Sequence, residues 1–133
     1  MSSSSSTKGG TDKRIQIFHD VNQMPLVNTK PGAWVCDLGS AEISENPYTG
    51  GIFVKDELAE DLDSASFPVN EWKYILEGEW HMVQEGKKLI ARPGDVVFVP
   101  KGAAFLSLKN PFKAFFVTNR GGVQHKTYLK AKL

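Results

Sequence analysis

EWKYILEGEWHM, residues 71–82, is made mostly of large apolar and aromatic residues, stops at Glu77-Gly78, and resumes. Two short apolar pieces parted by a glycine read as two strands with a turn between them. Side chains alternate across an extended chain, so Glu71, Lys73 and Ile75 share one face while Trp72, Tyr74 and Leu76 share the other. His81 then lies with Val83, opposite Trp80 and Met82. A carboxylate and an ammonium two residues apart on one strand face are either a pair carried into an interior or a couple turned to solvent.

The pattern spreads outward from this run. RIQIFHD (14–20), AWVCDLG (33–39), GGIFVKDE (50–57), EWHMVQE (79–85), KKLIA (87–91), DVVFVP (95–100), AFLSLK (104–109), KAFFVTN (113–119) and KTYLK (126–130) are short β-branched and aromatic pieces bounded by Pro, Gly, Asn and Asp. No stretch after Asp20 holds helical spacing over eleven or more residues, so the expectation is an all-β sandwich or barrel. QEGKK (84–88) places Gly86 at a hairpin tip, and ARPGD (91–95) places Pro93-Gly94 in a type II turn. LAEDLDSASFP (58–68) is the longest polar connection and is expected at the surface. The Ser- and Gly-rich stretch 1–13 has nothing to bury and is expected to be a disordered arm, leaving residues 14–133 as one domain.

Composition narrows the function classes. The 133 residues are 41% hydrophobic, which supports one core, and the net charge of +1 gives no electrostatic footprint for nucleic acid or an anionic membrane. A small-molecule partner fits better. The single cysteine, Cys36, rules out an internal disulfide and a cysteine-rich zinc site. No apolar run approaches the roughly 20 residues of a spanning helix, and the expected address is intracellular.

EWKYILEG followed by RPGDVVFVPKGAAF (92–105) resembles the two motifs of the cupin superfamily, small β-barrels of jelly-roll type. Glu71 to Gly78 fits the first motif. Gly94, Pro100 and Gly102 fit the second, in which position 105 is Phe where metal-binding relatives carry His. Across residues 50–119 the chain is most similar to the EutQ-type, ethanolamine-utilisation branch. The resemblance implies a single-domain cupin jelly-roll barrel. The HxH pair that such relatives place ahead of the glutamate would fall on Ser64 and Ser66, or on Ala65 and Phe67. Glu71 alone survives of four ligands, and His19, His81 and His125 are too scattered to replace them, so no metal and no cofactor is expected.

In the cupin register Glu71 and Lys73 enter the barrel, where burial raises a carboxylate's pKa, lowers an ammonium's, and their attraction opposes both shifts. They are the candidate catalytic residues for metal-independent proton transfer on a small carbonyl or carboxylic acid compound, of isomerase, lyase or cyclase type. Phe53, Trp80, Met82, Phe105, Ser107 and Phe115 are the expected substrate-binding residues, with Phe116 in the same aromatic set; any one ring could equally be core filling. His81 and Tyr74 are expected on the outer layer. A binding module without chemistry is a competing reading. A structural homodimer held through Trp72 and Tyr74 is another. Ala131-Lys132-Leu133 resembles the peroxisomal import tripeptide, which would give a peroxisomal address in a eukaryote and leave a cytoplasmic one otherwise.

Overall fold

The structure, a computed structural model, describes residues 14–41, 45 and 47–120. The expected arm 1–13, the piece 126–130, His125 and the C-terminal tripeptide lie outside the described residues. A short 3-10 helix, Val21–Gln23, precedes strands β1 Val27–Lys30, β2 Ala33–Ala41, β3 Tyr48–Lys55, β4 Leu62–Ser64 and β5 Glu71–Gly78. Then come β6 Trp80–Gln84, β7 Lys87–Ala91, β8 Val96–Val99, β9 Phe105–Ser107 and β10 Phe112–Thr118. These form a six-stranded sheet in the order β1-β2-β3-β10-β5-β8 and a four-stranded sheet in the order β4-β9-β6-β7. Neighbouring strands pair antiparallel.

This is the all-β jelly roll the sequence predicts, formed by two facing sheets and not by a continuous hydrogen-bonded cylinder. The sheets meet over Ile75, Trp80, Met82, Ala91, Val99, Phe112 and Ala114, all buried. Ile75, 1% exposed, contributes about 2 kcal/mol by its burial alone. Turn chemistry fixes the register. Glu85 and Gly86 both take positive φ, 51° and 75°, as a two-residue type I′ hairpin requires. Asp95 N–H donates to the Arg92 carbonyl at 2.8 Å across Pro93 and Gly94, the latter at φ 95°, which closes the type II turn.

One expected strand does not form and two strands form that the local pattern does not mark, each for a packing reason. Residues 14–20 form no strand: β1 takes the edge beside β2, and Ile15 and Ile17 stay exposed. Phe18 from that segment joins Val21, Met24 and Leu26 to cover Cys36, Leu38 and Ile52 on the outer side of β2 and β3. β1 itself carries one apolar residue followed by Asn, Thr and Lys, so nothing in its own pattern marks it. The polar connection 58–68 holds β4, whose residues Leu62 and Ser64 pair with Ser107 and Phe105 of β9. Backbone pairing with a strand that is distant in sequence decides that piece, against its composition.

Candidate functional site

Strand register places the functional side chains. On β10, Phe112, Ala114, Phe116 and Thr118 are buried, and their partners on β3 are Lys55, Phe53, Gly51 and Thr49. On its other side β10 sets Phe116 opposite Lys73 and Thr118 opposite Glu71. One inward row therefore holds Lys73, Phe116 and Gly51, and another holds Phe112 and Lys55, with the Ala114 and Phe53 row between them. Gly51 is required by closeness: a Cβ there would run into the Cys36 carbonyl oxygen and the Phe116 ring.

Between the sheets these residues line a cavity of about 540 Å³. Phe53, Lys55, Phe67, Glu71, Lys73, Trp80, Phe105, Ser107, Phe112, Phe116, Thr118 and Arg120 contribute to its wall. Lys73 Nζ donates to Glu71 Oε2, and the two side chains are only 8% and 12% exposed. The ammonium stands 5.0 Å from the Phe53 ring centre, 5.4 Å from Trp80 and 5.9 Å from Phe116. Those ring faces stabilise its charge, as cation–π contacts do. Burial nevertheless pushes Lys73 down from 10.5 to about 7, and the nearby Lys55 charge acts in the same direction.

Lys55 is a second lysine inside. Its Nζ reaches across from the six-stranded sheet to donate to Ser107 Oγ at 2.8 Å and to the Leu108 carbonyl at 3.0 Å. Burial is the main cause that pushes it down to about 8; the Asp61 carboxylate opposes this and Lys30 assists it. Trp80 Nε1–H donates to the same Ser107 oxygen at 2.8 Å. Arg120 lines the cavity too, with its guanidinium forked onto Asp37, Nη1 to Oδ2 and Nη2 to Oδ1, each at 3.0 Å.

Of the sequence-predicted site residues, the structure brings Glu71, Lys73, Phe53, Trp80, Phe105 and Ser107 together in this cavity. Two fall elsewhere. Phe115 is 39% exposed on the outer face, because Phe116, one residue on, takes the inward place opposite Lys73. Met82 is buried but lines a smaller groove of about 420 Å³ with Leu89, Val97 and Phe98. His81 lies on the face away from the cavity, its Nε2 2.9 Å from Glu79 Oε1, and Glu79 also accepts from Arg92 Nε at 3.1 Å. That hydrogen bond, with Arg92 beside it, holds the Glu79 carboxyl below its usual range. Tyr74 and Trp72 point outward.

Lys55, Phe67, Thr118 and Arg120 were not expected in the site, while Phe116, grouped with the aromatic set, lines the cavity. For Lys55 a signal existed: it follows Phe53 by two residues in GGIFVKDE, so a strand that turns Phe53 inward turns Lys55 inward as well. Arg120 and Phe67 sit beyond strand ends, where the period-two rule gives no direction.

The positions that hold metal in related folds carry the wrong donors here. Ser64 Oγ donates to the Ala103 carbonyl at 3.5 Å, Ser66 is exposed, and Phe105 is a cavity wall. Among the described residues no three His, Cys, Asp or Glu side chains come together. This donor set does not fit a transition metal, which wants three or more protein ligands.

Residues 49–120 match the family described as ethanolamine utilisation protein EutQ, more than half of the chain. The chain belongs to the EutQ family. Over 46 residues it is 46% identical to acetate kinase EutQ of Salmonella typhimurium strain LT2, a match that covers 32% of this chain and 20% of that protein. The chain thus spans about a fifth of the length of that curated relative. The Clostridium difficile EutQ structure is similar at a TM-score of 0.54 and 24% identity, over 65% of this chain and 67% of that one. An RmlC-like cupin from Shewanella frigidimarina is similar at a TM-score of 0.58 and 19% identity, over 78% of this chain and 90% of that one. The family match and these folds together make the chain a EutQ-type cupin without the metal-binding histidines, with β5, β8, β10 and all of β3 but Tyr48 inside the EutQ segment. That segment contains both lysines and Glu71.

Proposed function

We propose that this EutQ-type cupin is a metal-independent enzyme that moves a proton on a small carbonyl or carboxylic acid compound within the cavity. The observation that supports it is the Glu71–Lys73 pair, in contact, nearly buried, and set among three aromatic rings. A lysine held near 7 is a usable base at neutral pH. The deprotonated Lys73 amine takes a proton from the carbon beside the substrate's carbonyl. The proton passes to Glu71 across their hydrogen bond and returns from its carboxyl to the substrate at a second atom. Atoms and charge balance, and no other reactant is needed. Keeping a buried ion pair where apolar residues would pack as well suggests a use for it beyond stability.

The test is exchange of carbon-bound hydrogen for solvent deuterium, followed by NMR, over a panel of small keto and hydroxy acids. Exchange is expected with the native chain, and Glu71→Gln is expected to slow it by about a hundredfold or more while the fold persists. Full exchange by that variant would remove the proposal. The Salmonella relative is named an acetate kinase, so the panel also includes acetate with ATP, read as acetyl phosphate.

A second reading concerns assembly. Trp72 and Phe98 lie 4.6 Å apart between ring centres, tilted by 37°, on the outer face, and Tyr74 and Val96 beside them are exposed. β8 is the edge of its sheet. An open edge flanked by exposed rings suits pairing with a second copy of the chain.

A further inference from the structure

The charges that line the cavity are unequally matched. Lys73 has Glu71 and Arg120 has Asp37, each in direct contact. Lys55 is 7% exposed; its hydrogen bonds go to a hydroxyl and a carbonyl, the Phe112 ring centre lies 5.7 Å from its Nζ, and Asp61 acts on it from a distance, so among the described residues no carboxylate stands within ion-pair distance. A buried ammonium without a counter-ion is costly, and an anionic ligand would supply the missing partner.

Ser107 carries the second half. A serine hydroxyl has two lone pairs and one proton to donate. Lys55 Nζ and Trp80 Nε1 are both donors only, and both are aimed at Ser107 Oγ at 2.8 Å. With its lone pairs taken, the hydroxyl has only its proton to offer. Among the described residues no acceptor for that proton stands within hydrogen-bond reach, and Ser107 lines the cavity. The Lys55 ammonium has three N–H groups and spends two, on Ser107 and Leu108. One N–H and one O–H, on adjacent groups, are therefore left as donors at the cavity wall.

We propose that Lys55 and Ser107 form the anion-binding pole of the cavity and hold the carboxylate of a small organic acid, with its apolar body along Phe53 and Phe105 toward Glu71. Two adjacent donors and one positive charge with no carboxylate in contact match the two oxygens and single charge of a carboxylate. Phe53 lies between the Lys55 row and the Lys73 row, so an acid held at one pole presents its carbon chain to the other. Trp80 ties the poles together, its N–H on Ser107 and its ring beside Lys73. The inference rests on the same cavity as the proton-transfer reading, but it concerns binding and does not need turnover.

Calorimetric titration of the purified chain with acetate, butyrate and benzoate, with their primary amides, and with inorganic phosphate tests it. The acids are expected to bind about tenfold or more tightly than the amides, in line with a hydrogen-bonded charge. Lys55→Met and Ser107→Ala are expected to weaken acid binding by about tenfold and several-fold and to weaken amide binding less, so that the preference for acid over amide narrows. Should Lys55→Met fail to fold, Lys55→Arg, which retains the charge, and Ser107→Ala carry the test. Equal affinity for acid and amide, preference for phosphate, or unchanged acid affinity in Ser107→Ala would overturn the proposal. Acid binding that depends on Lys55 without any deuterium exchange would leave this pole standing and remove the proton-transfer reading. Exchange that is insensitive to Lys55→Met would do the reverse.

Discussion

The indole N–H of Trp80 donates to Ser107 Oγ at 2.8 Å from the strand next to it in the four-stranded sheet. The contact fixes a ring and a hydroxyl at once, so the two can be separated by mutation. Trp80→Phe keeps an aromatic face near Lys73 but gives Ser107 back one lone pair, after which its proton is no longer confined to the cavity. The expected result is a stability loss of about 1 kcal/mol, that of one hydrogen bond, with acid affinity lowered several-fold. Denaturant titration and calorimetry on the one variant check both.

Much of this arrangement is legible in the sequence, and the limits are instructive. Alternation puts Glu71 and Lys73 on one face and Trp72 and Tyr74 on the other, and the resemblance to the cupin motif implies which face is the inner one. Phe115 and Phe116 are adjacent and equally apolar, so only the pairing of Phe116 with Lys73 shows which one enters. Met82 has the expected facing, yet it sits where the sheets open toward β7 and β8, a matter of sheet order that local pattern does not contain. The strand β4 and the covering segment Phe18 to Leu26 depend on contacts with distant strands, and composition pointed the wrong way for both.

Replacing the buried ion pair should raise stability. Removing one partner leaves an uncompensated charge, whereas Glu71→Gln combined with Lys73→Met removes both at nearly constant volume. The double variant is expected to be more stable than the native chain by about 1–4 kcal/mol at pH 7. Because Lys73 titrates near 7 when folded and near 10.5 when unfolded, the unfolded chain binds more protons between those values. Its destabilising contribution is fully present below pH 7 and fades as pH rises to 10.5. The advantage of the double variant should shrink over that window, as melting temperatures of the two proteins against pH would show.

Deuterium exchange should follow pH through both lysines. Lys73 must lose its proton to act as the base, so the rate is expected to rise through about 7. Lys55 must keep its proton to hold an acid, so the rate is expected to fall above about 8. The charged groups that bear on the pair are Glu71 on Lys73, and Asp61 and Lys30 on Lys55; Glu60 also lines the cavity. The profile is a narrow bell, and Lys55→Arg should move its upper limb to higher pH while the lower limb stays.

Trp72 and Phe98 provide a test of assembly. If their outer face pairs two copies, the native chain runs at twice its chain mass in light scattering. A charge placed in this ring pair, Trp72→Glu or Phe98→Glu, is expected to return it to one chain mass with its circular dichroism unchanged, since both residues are about half exposed. A native monomer would end that reading.

Gly51 is where the cavity's shape is most exposed to a single methyl group. Its position carries ordinary negative φ, so the cost of Gly51→Ala is contact and not backbone strain. The new Cβ meets the Cys36 carbonyl oxygen, a backbone atom held in the β2–β3 ladder, and the tip of the Phe116 ring. The ring, pushed from the β3 side, has Lys73 as its partner on the β5 side, with the ammonium 5.9 Å from its centre. Overpacking of this kind costs about 1–3 kcal/mol. Gly51→Ala is therefore expected to lower the denaturation midpoint by that amount and to slow deuterium exchange by disturbing the ring beside Lys73. A variant with native stability and native exchange would show that the Phe116 ring is not the fixed wall described above.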